Sequence, residues 1–325
     1  MKPTPFNFNS DHFETLIYSA YYAPRGRQRL YMLAGELSNR YIYPNDLLIG
    51  IIGAEGSGKS TLIKGLFPGL ELTNDDEGVN LRPTPIYEFQ ADNYFAGHTF
   101  HLDARYELAF KQKWEIVEAV KKVVASGRRV VVEHFDLLYA APGTNASILF
   151  GIGEEVLVAR PDVFGPEPDK IKSVVNKTIR FRKMAHTAED LINYILVSDY
   201  DYQQQVYHSD VKHGFIIKFV EKPEINIEEL EAKAKQVIAK DCPVTIVQEN
   251  KIAIGDYQIY CSGTRTHVKS TGEIENFSLL KNFVYDPLKK VYMLVGVVGR
   301  PETAGYEDLS YIRKKYEPEG QKRDE

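Results

Sequence analysis

Cysteine is scarce in this sequence, because its 325 residues include only Cys242 and Cys261. Two cysteines cannot build a disulfide framework, so the composition fits a reducing compartment. Long apolar runs are also missing, since no stretch approaches the roughly 20 residues that a membrane-spanning helix needs. Residues 1–7 lack the apolar core of a signal peptide. These absences predict a cytoplasmic protein with no membrane partner.

An excess of basic charge is absent as well. The chain has 40 lysines and arginines against 45 aspartates and glutamates, which gives a net charge of −5. This balance argues against wholesale coating of a polyanion but leaves open a local basic face for RNA. Hydrophobic residues make up 43% and charged residues 26%, as in an ordinary globular protein, and the length suggests two domains.

A glycine-rich loop, residues 53–60, is the most specific pattern present. It has the spacing G-x-x-x-x-G-K-S, follows the apolar residues 47–52 and precedes a helical pattern at residues 61–67. Such a loop aims backbone N–H groups at phosphate oxygens, while Lys59 reaches the β- and γ-phosphates and the Ser60 hydroxyl ligates Mg²⁺. We therefore expect a nucleoside triphosphate, ATP or GTP, to bind here. The predicted binding residues are Gly53, Glu55, Gly56, Ser57, Gly58, Lys59, Ser60 and Thr61.

Two carboxylates are expected to accompany this loop. Glu133 follows a run of three valines, at the expected end of a buried strand, where it can hold Mg²⁺ near Ser60; Asp136 is the alternative for this role. Asp92 follows a predicted strand at residues 86–90 and is a candidate for orienting or deprotonating a substrate hydroxyl. A turn or helix-cap aspartate is the alternative interpretation of Asp92. The predicted catalytic residues are Lys59, Asp92 and Glu133.

The order of apolar patterns predicts an α/β fold. Strands and helices alternate through residues 1–168, which is typical of a doubly wound parallel sheet in a phosphate-loop NTPase domain. Two helical patterns within residues 11–46 predict an N-terminal helical arm, and another helix is expected at residues 105–125. Prolines between residues 160 and 168 mark a boundary. Residues 169–325 are typical of an α+β domain with a charged tail. Its predicted helices lie at residues 171–197 and 227–240, and its strands at residues 215–219, 244–247, 258–260 and 291–295.

Two short motifs follow the glycine-rich loop in order. They are Asp92-Asn93-Tyr94-Phe95 and the apolar strand that ends at Glu133. This order resembles the uridine kinase and phosphoribulokinase group of phosphate-loop kinases over roughly residues 47–140. The resemblance implies phosphoryl transfer from ATP to a small hydroxyl-bearing substrate. His98, His101 and Arg105 lie where such kinases contact the acceptor, although a polar loop with surface histidines is the simpler interpretation.

A second set of candidate ligands lies in residues 169–325. His186 and Asp190 are four residues apart, on one face of a predicted helix, and Cys261 and His267 lie in a turn-rich segment. Together they offer N, O, S and N donors, a set that can bind Zn²⁺ tetrahedrally; three protein ligands plus water would make the site catalytic. Spacing alone leaves open a lone histidine, a buried thiol and a helix-surface aspartate.

The segment around Cys261 has a recognisable signature. It reads Cys261-Ser262-Gly263-Thr264-Arg265-Thr266-His267-Val268, followed by Thr271-Gly272-Glu273-Ile274. This is similar to the Cys-Gly-Gly-Thr-His-Val…Thr-Gly-(Glu/Asp)-Ile signature of the alanyl-tRNA synthetase editing domain. Ala185-His186-Thr187-Ala188 resembles the start of that family's His-x-x-x-His helix, with Asp190 in place of the second histidine and C-x₅-H in place of C-x₃-H. The resemblance spans roughly residues 171–300 and implies Zn²⁺ and a tRNA or aminoacyl partner.

Other charged residues of the same predicted helix are weaker candidates. Glu189 is a candidate base, with a helix-surface carboxylate as the alternative. Arg180 and Arg182 are expected on the surface of the second domain, where contact with RNA or with the transferred phosphate is the functional alternative.

Three functions follow from these patterns. The leading one is an ATP-dependent phosphotransferase that acts on a small hydroxyl-bearing substrate and carries a tRNA-editing-like domain. The second is a trans-acting aminoacyl-tRNA deacylase regulated by nucleotide. The third is a non-enzymatic RNA-binding module that a nucleoside triphosphate switches.

Overall fold

A computed structural model of the chain describes residues 16–73, 84–89, 98–139, 145–202 and 206–299. Its first half is built on one six-stranded sheet. The strands are β1 (Ser19–Tyr22), β2 (Leu48–Gly53), β3 (Thr99–Asp103), β4 (Arg129–Glu133), β5 (Ile148–Ile152) and β6 (Glu155–Ala159). They lie in the order β1-β6-β5-β2-β4-β3.

The sheet is mixed. β3, β4, β2 and β5 run parallel, whereas β6 and β1 add antiparallel pairs at one edge. Only two residues separate β5 from β6, and so short a connection permits a hairpin but not a crossover to a parallel neighbour. The predicted α/β class is confirmed at this level, and the sheet is not parallel throughout.

Helices cover both faces of this sheet. The α-helices within the described residues are α1 (Arg27–Tyr41), α2 (Lys59–Leu66), α3 (Ala104–Glu107), α4 (Lys113–Ala125), α5 (Pro168–Tyr200) and α6 (Ile227–Ala239). α1 and α2 pack against Ile49 and Ile51 of β2, while α4 and the start of α5 share a core with Leu48 and Ile52. Alternate side chains of β2 therefore enter opposite cores, as the two-residue period of a strand requires.

The second half contains two antiparallel sheets. A three-stranded sheet has the order β11-β10-β9, and in a five-stranded sheet β12-β14-β8-β7 is joined by β13 along β14. These strands are β7 (Tyr207–Val211), β8 (Gly214–Phe219), β9 (Val244–Gln248), β10 (Lys251–Ile254), β11 (Tyr257–Tyr260), β12 (Ser278–Leu279), β13 (Val284–Asp286) and β14 (Val291–Val297).

α5 belongs to both halves. Ile171 and Val175, in its first turns, lie in the core of the six-stranded sheet, whereas Leu191 and Ile195 lie in the core that α6 and β8 share. The predicted boundary at residue 168 is the point where this helix begins. Among the described residues, no helix combines the length and the apolar character that crossing a bilayer requires.

Local predictions failed where distant pairing decides the structure. Residues 19–22 form β1 rather than the predicted helix, because they pair with β6. In the predicted strand at residues 86–90, the described part turns, with Tyr87 N–H donating to the Thr84 carbonyl. The predicted helix at residues 105–125 is two helices, because Gln112 and Glu115 form a capping box that begins α4 anew.

Candidate nucleotide and metal sites

The glycine-rich loop joins the buried strand β2 to α2. Gly56 and Gly58 have φ of +72° and +93°, a region that favours glycine. The loop curls around the side chain of Lys59, whose Nζ donates to the Ala54 carbonyl at 3.0 Å and lies 3.5 Å from Glu133 Oε1. Ser57 is fully buried, and its Oγ has no hydrogen-bond partner within the described residues.

Two carboxylates, those of Asp103 and Glu133, lie at the carboxyl ends of two adjacent strands, on the same cavity wall as Lys59. Glu133 is the last residue of β4, and Asp103 is the last residue of β3, its register partner on the parallel neighbour. The Asp103 carboxylate accepts the N–H groups of Arg105 and Tyr106 and so caps α3. The sequence analysis did not single out Asp103. The available signal was its position directly after β3 residues Phe100 and Leu102, which are apolar and alternate along the strand.

The buried carboxyl of Glu133 is held in its ionised form. Burial acts to raise the pKa of Glu133, but His101 and the charge of Lys59 outweigh burial and lower it. His101 Nδ1 accepts the Thr73 N–H at 3.1 Å, so the ring proton of a neutral His101 is on Nε2, 3.6 Å from Glu133 Oε2. His101 is therefore a buried neighbour of Glu133 and not a surface histidine.

The other residues predicted for this region are placed differently. Asp92 lies outside the described residues. Asp136 is ion-paired with Lys172 at 2.7 Å, so its carboxylate is engaged by α5. His98 is exposed, and Arg105 is 3.6 Å from Glu55 in an exposed ion pair.

A cavity of about 1080 Å³ opens above the glycine-rich loop. Asp103 and Glu133 lie on its wall, together with Lys59 and residues of α1 and α2. Residues 248–250 and 262–266, from the second half of the chain, line the same cavity. Of the predicted nucleotide-binding residues, those that line it are Glu55, Gly56, Gly58, Lys59, Ser60 and Thr61.

The four predicted zinc ligands come together in the second half. The ligand atoms of His186, Asp190, Cys261 and His267 all lie within 4.8 Å of one another, and all four residues are buried. Cys261 Sγ is 3.4 Å from His186 Nε2 and 3.3 Å from His267 Nε2, and Asp190 Oδ2 is 3.6 Å from His267 Nε2. We call these four residues the metal cluster. None of them lines the cavity described above.

Hydrogen bonds behind the metal cluster orient both rings. His186 Nδ1 donates to the Thr266 carbonyl at 3.0 Å, which leaves Nε2 without a proton in the neutral ring. The Thr187 hydroxyl donates its proton to the Lys183 carbonyl, so the hydroxyl oxygen accepts a hydrogen bond from His267 Nδ1 at 3.2 Å. Both Nε2 lone pairs therefore face Asp190 and Cys261, as in ligated histidines whose other nitrogen is held by an outer partner.

The protonation states of the cluster also suit a cation. Burial lowers the pKa of His186 and brings that of His267 down to about 3, so both rings are neutral. Burial, helped by the charge of Glu189, raises the pKa of Asp190 to about 7, and burial raises the pKa of the Cys261 thiol. Asp190 Oδ2 accepts no hydrogen bond from the part of the chain that the structure describes. A metal ion bound among these four residues would displace the protons of Asp190 and Cys261 and would give Asp190 Oδ2 a partner.

Glu189 and Arg182 are buried, contrary to expectation. Glu189 forms a bidentate ion pair with Arg25, which overcomes the effect of burial and lowers the pKa of Glu189 to about 2. Such a carboxylate is a poor base. Arg182 donates to the carbonyls of Ser57 and Pro24, at 2.6 Å each, so it supports the glycine-rich loop and does not form a surface.

No protein-family model matches this chain, and a comparison with curated proteins finds no match. The two family resemblances thus rest on the motifs themselves.

Proposed function

We propose that this protein transfers a phosphoryl group from a nucleoside triphosphate to a small substrate that carries a hydroxyl group. One observation carries the proposal. Lys59, held by the glycine-rich loop, lies 3.5 Å from Glu133, and Asp103 is in register with Glu133 on the adjacent strand, so a cation and two carboxylates share one cavity wall. Phosphoryl transfer depends on such positioning and charge stabilisation rather than on a covalent contribution from the protein.

The residues divide into a phosphate end and an acceptor end. The loop amides and Lys59 bind the phosphates, and Lys59 exchanges Glu133 for a phosphate oxygen when the nucleotide enters. The Ser60 hydroxyl and the ionised Glu133 are the groups that would hold Mg²⁺, which when bound neutralises phosphate charge. The cavity volume of about 1080 Å³ leaves room for a nucleotide and a small acceptor.

Asp103 is the described carboxylate best placed for the acceptor. It lines the cavity at the end of β3, where Arg105 and Tyr106 also reach the wall, and two backbone N–H groups fix its position. We assign it the role of orienting the acceptor hydroxyl and accepting its proton. Asp92 stays a prediction for the same role, and the comparison of Asp103→Asn with Asp92→Asn decides between them.

The metal cluster fits a zinc ion that is structural. It offers four protein donors of the types that zinc prefers, all buried and apart from the cavity, whereas a catalytic zinc keeps one position open to water and substrate. Bound zinc in such a site contributes folding energy. This arrangement favours the phosphotransferase over a zinc-dependent aminoacyl-tRNA deacylase.

The test is detection of a phosphorylated product. The protein is incubated with Mg²⁺·ATP or Mg²⁺·GTP, pooled nucleosides and total tRNA, and products are identified by mass spectrometry. We expect a small phosphorylated product that Lys59→Met abolishes and that Lys121→Met, which changes an exposed lysine of α4, preserves. Absence of product with both nucleotides would contradict the proposal for these acceptors. Hydrolysis of mischarged tRNA that Cys261→Ala abolishes would favour the deacylase instead.

The metal content gives an independent check. Purified protein should contain about one zinc ion per chain by elemental mass spectrometry, in keeping with one four-donor site. Cys261→Ala should lose it. Cys242→Ala, which changes the second cysteine of the chain, should keep it because Cys242 is not in the cluster.

A further inference from the structure

Thr266 touches both candidate sites at once. Its carbonyl oxygen accepts from His186 Nδ1 of the metal cluster at 3.0 Å, and its hydroxyl donates to the carbonyl of Gly56, in the glycine-rich loop, at 3.0 Å. Thr266 is buried, and so is its hydrogen bond with His186, whereas its hydrogen bond with Gly56 lies at the cavity wall and is partly buried. A single residue is thus hydrogen-bonded both to His186 of the metal cluster and to the glycine-rich loop.

The backbone beside Thr266 meets the glycine-rich loop without a gap. A Cβ atom at Gly56 would lie 2.5 Å from the Arg265 carbonyl oxygen, so the two loops are in backbone contact. Two members of the metal cluster, Cys261 and His267, flank the segment that makes this contact. An ion held by both would fix the two ends of residues 262–266 relative to α5, which supplies His186.

We propose that Thr266 is a positioning residue that couples occupancy of the metal cluster to the conformation of the glycine-rich loop. The inference rests on the proposed nucleotide site. With metal bound, the segment of residues 262–266 is fixed and the Thr266 hydroxyl holds the Gly56 carbonyl, which leaves the loop amides aimed into the cavity. Without metal the segment loses its fixed ends, and nucleotide binding has to order it.

The size of the coupling is limited by contacts that do not pass through Thr266. Arg182 of α5 also donates to the loop, at the Ser57 carbonyl, and this bond does not involve a cluster residue. The contribution of Thr266 to the coupling is the one hydrogen bond from its hydroxyl to the Gly56 carbonyl. One such bond corresponds to about a two- to twelvefold change in the dissociation constant of the nucleotide. Because linkage is reciprocal, nucleotide must raise zinc affinity by the same factor by which zinc raises nucleotide affinity.

Binding of a fluorescent N-methylanthraniloyl derivative of ATP, with Mg²⁺, tests the coupling. The dissociation constant is measured for zinc-loaded and chelator-treated full-length protein. For wild type we expect weaker binding after zinc removal, within the two- to twelvefold range. Zinc-loaded Thr266→Val should bind as weakly as metal-free wild type, with little further loss on chelation, and Thr266→Ser should restore the metal dependence. Thr264→Val is the matched control, because the Thr264 hydroxyl donates to the Glu249 carbonyl and not to the glycine-rich loop, so its metal dependence should persist.

Zinc affinity supplies the second readout. Competition with a chromophoric chelator, in the presence and absence of the ATP derivative, should show tighter zinc binding with nucleotide in wild type and not in Thr266→Val. Equal nucleotide affinity of zinc-loaded and metal-free wild type would overturn the coupling while leaving the nucleotide site intact. Failure of wild type to bind nucleotide in either form would instead contradict the proposed function. If Thr266→Val does not fold, the wild-type comparison and its reciprocal zinc titration still decide the matter.

Discussion

Replacing Gly56 with alanine measures how closely the glycine-rich loop packs on its neighbour. Gly56 has φ of +72°, where an alanine costs about 1–2 kcal/mol relative to glycine. Its Cβ would also lie 2.5 Å from the backbone oxygen of Arg265, and relieving such an overlap costs about 1–3 kcal/mol. Gly56→Ala should therefore lower the free energy of unfolding by about 2–5 kcal/mol.

The chain offers a matched control for the backbone part of this change. Gly127, which follows α4, also has φ of +72°, but a Cβ there would meet no atom of the described residues within 4 Å. Gly127→Ala should therefore cost only the about 1–2 kcal/mol of the left-handed conformation. Urea unfolding followed by circular dichroism gives both values, and nucleotide binding should weaken in Gly56→Ala alone. Equal destabilisation by the two substitutions would refute the close packing of residues 56 and 265.

Two further predictions concern the buried ionisable residues Glu154 and Arg25. Burial raises the pKa of Glu154 to about 8 from 4.5, so between about pH 5 and pH 8 the folded state keeps a proton that the unfolded state releases. Its contribution to the free energy of unfolding then falls by about 1.4 kcal/mol per pH unit as pH rises, and Glu154→Gln should flatten this slope in urea unfolding; parallel slopes would contradict it. Arg25→Met removes the bidentate partner of the buried Glu189 carboxylate, which keeps only its contact with His208 Nδ1 at 3.0 Å, and this loss should cost about 3–5 kcal/mol. Arg27→Met removes an exposed ion pair worth at most about 1 kcal/mol, and similar losses for the two arginine variants would disprove the buried pair.

Long periodic segments were the predictable part of the fold. The helix expected at residues 171–197 is α5, and the strand expected at residues 215–219 is β8. In β8, fully buried residues alternate with half-buried ones, as the two-residue period of a strand predicts, whereas α5 is buried on all sides over residues 184–192. Short elements were predicted unevenly: the four-residue strand β11 was expected at residues 258–260, whereas β1 was expected to be helical. β1 has four residues, and its pairing with β6 makes it a strand; a contact between residues so far apart leaves no local pattern.

The nucleotide end of the candidate site was more predictable than the acceptor end. Glu133 ends β4, and the glycine-rich loop follows the parallel neighbour β2, so the motifs alone predicted that Glu133 lies near Ser60, the residue after Lys59. Asp103 was missed because its importance comes from register with Glu133, and the pairing of β3 with β4 is a tertiary contact. His101 was misjudged as a surface residue for the same reason, since its burial depends on that pairing.

The two positions at which the sequence differs from the signature that it resembles, Asp190 and the C-x₅-H spacing, both lie at the metal cluster. Asp190 supplies a buried oxygen at the point where both imidazole Nε2 atoms and the Cys261 thiol converge, so the four residues form a complete donor set. The C-x₅-H spacing lengthens the loop between two members of the metal cluster. Within it, the Thr266 N–H donates to the Gly263 carbonyl and closes a turn, and this turn places Thr266 against Gly56. A segment with both ends in the metal cluster therefore also lines the cavity, and it links two sites that the sequence presented as separate.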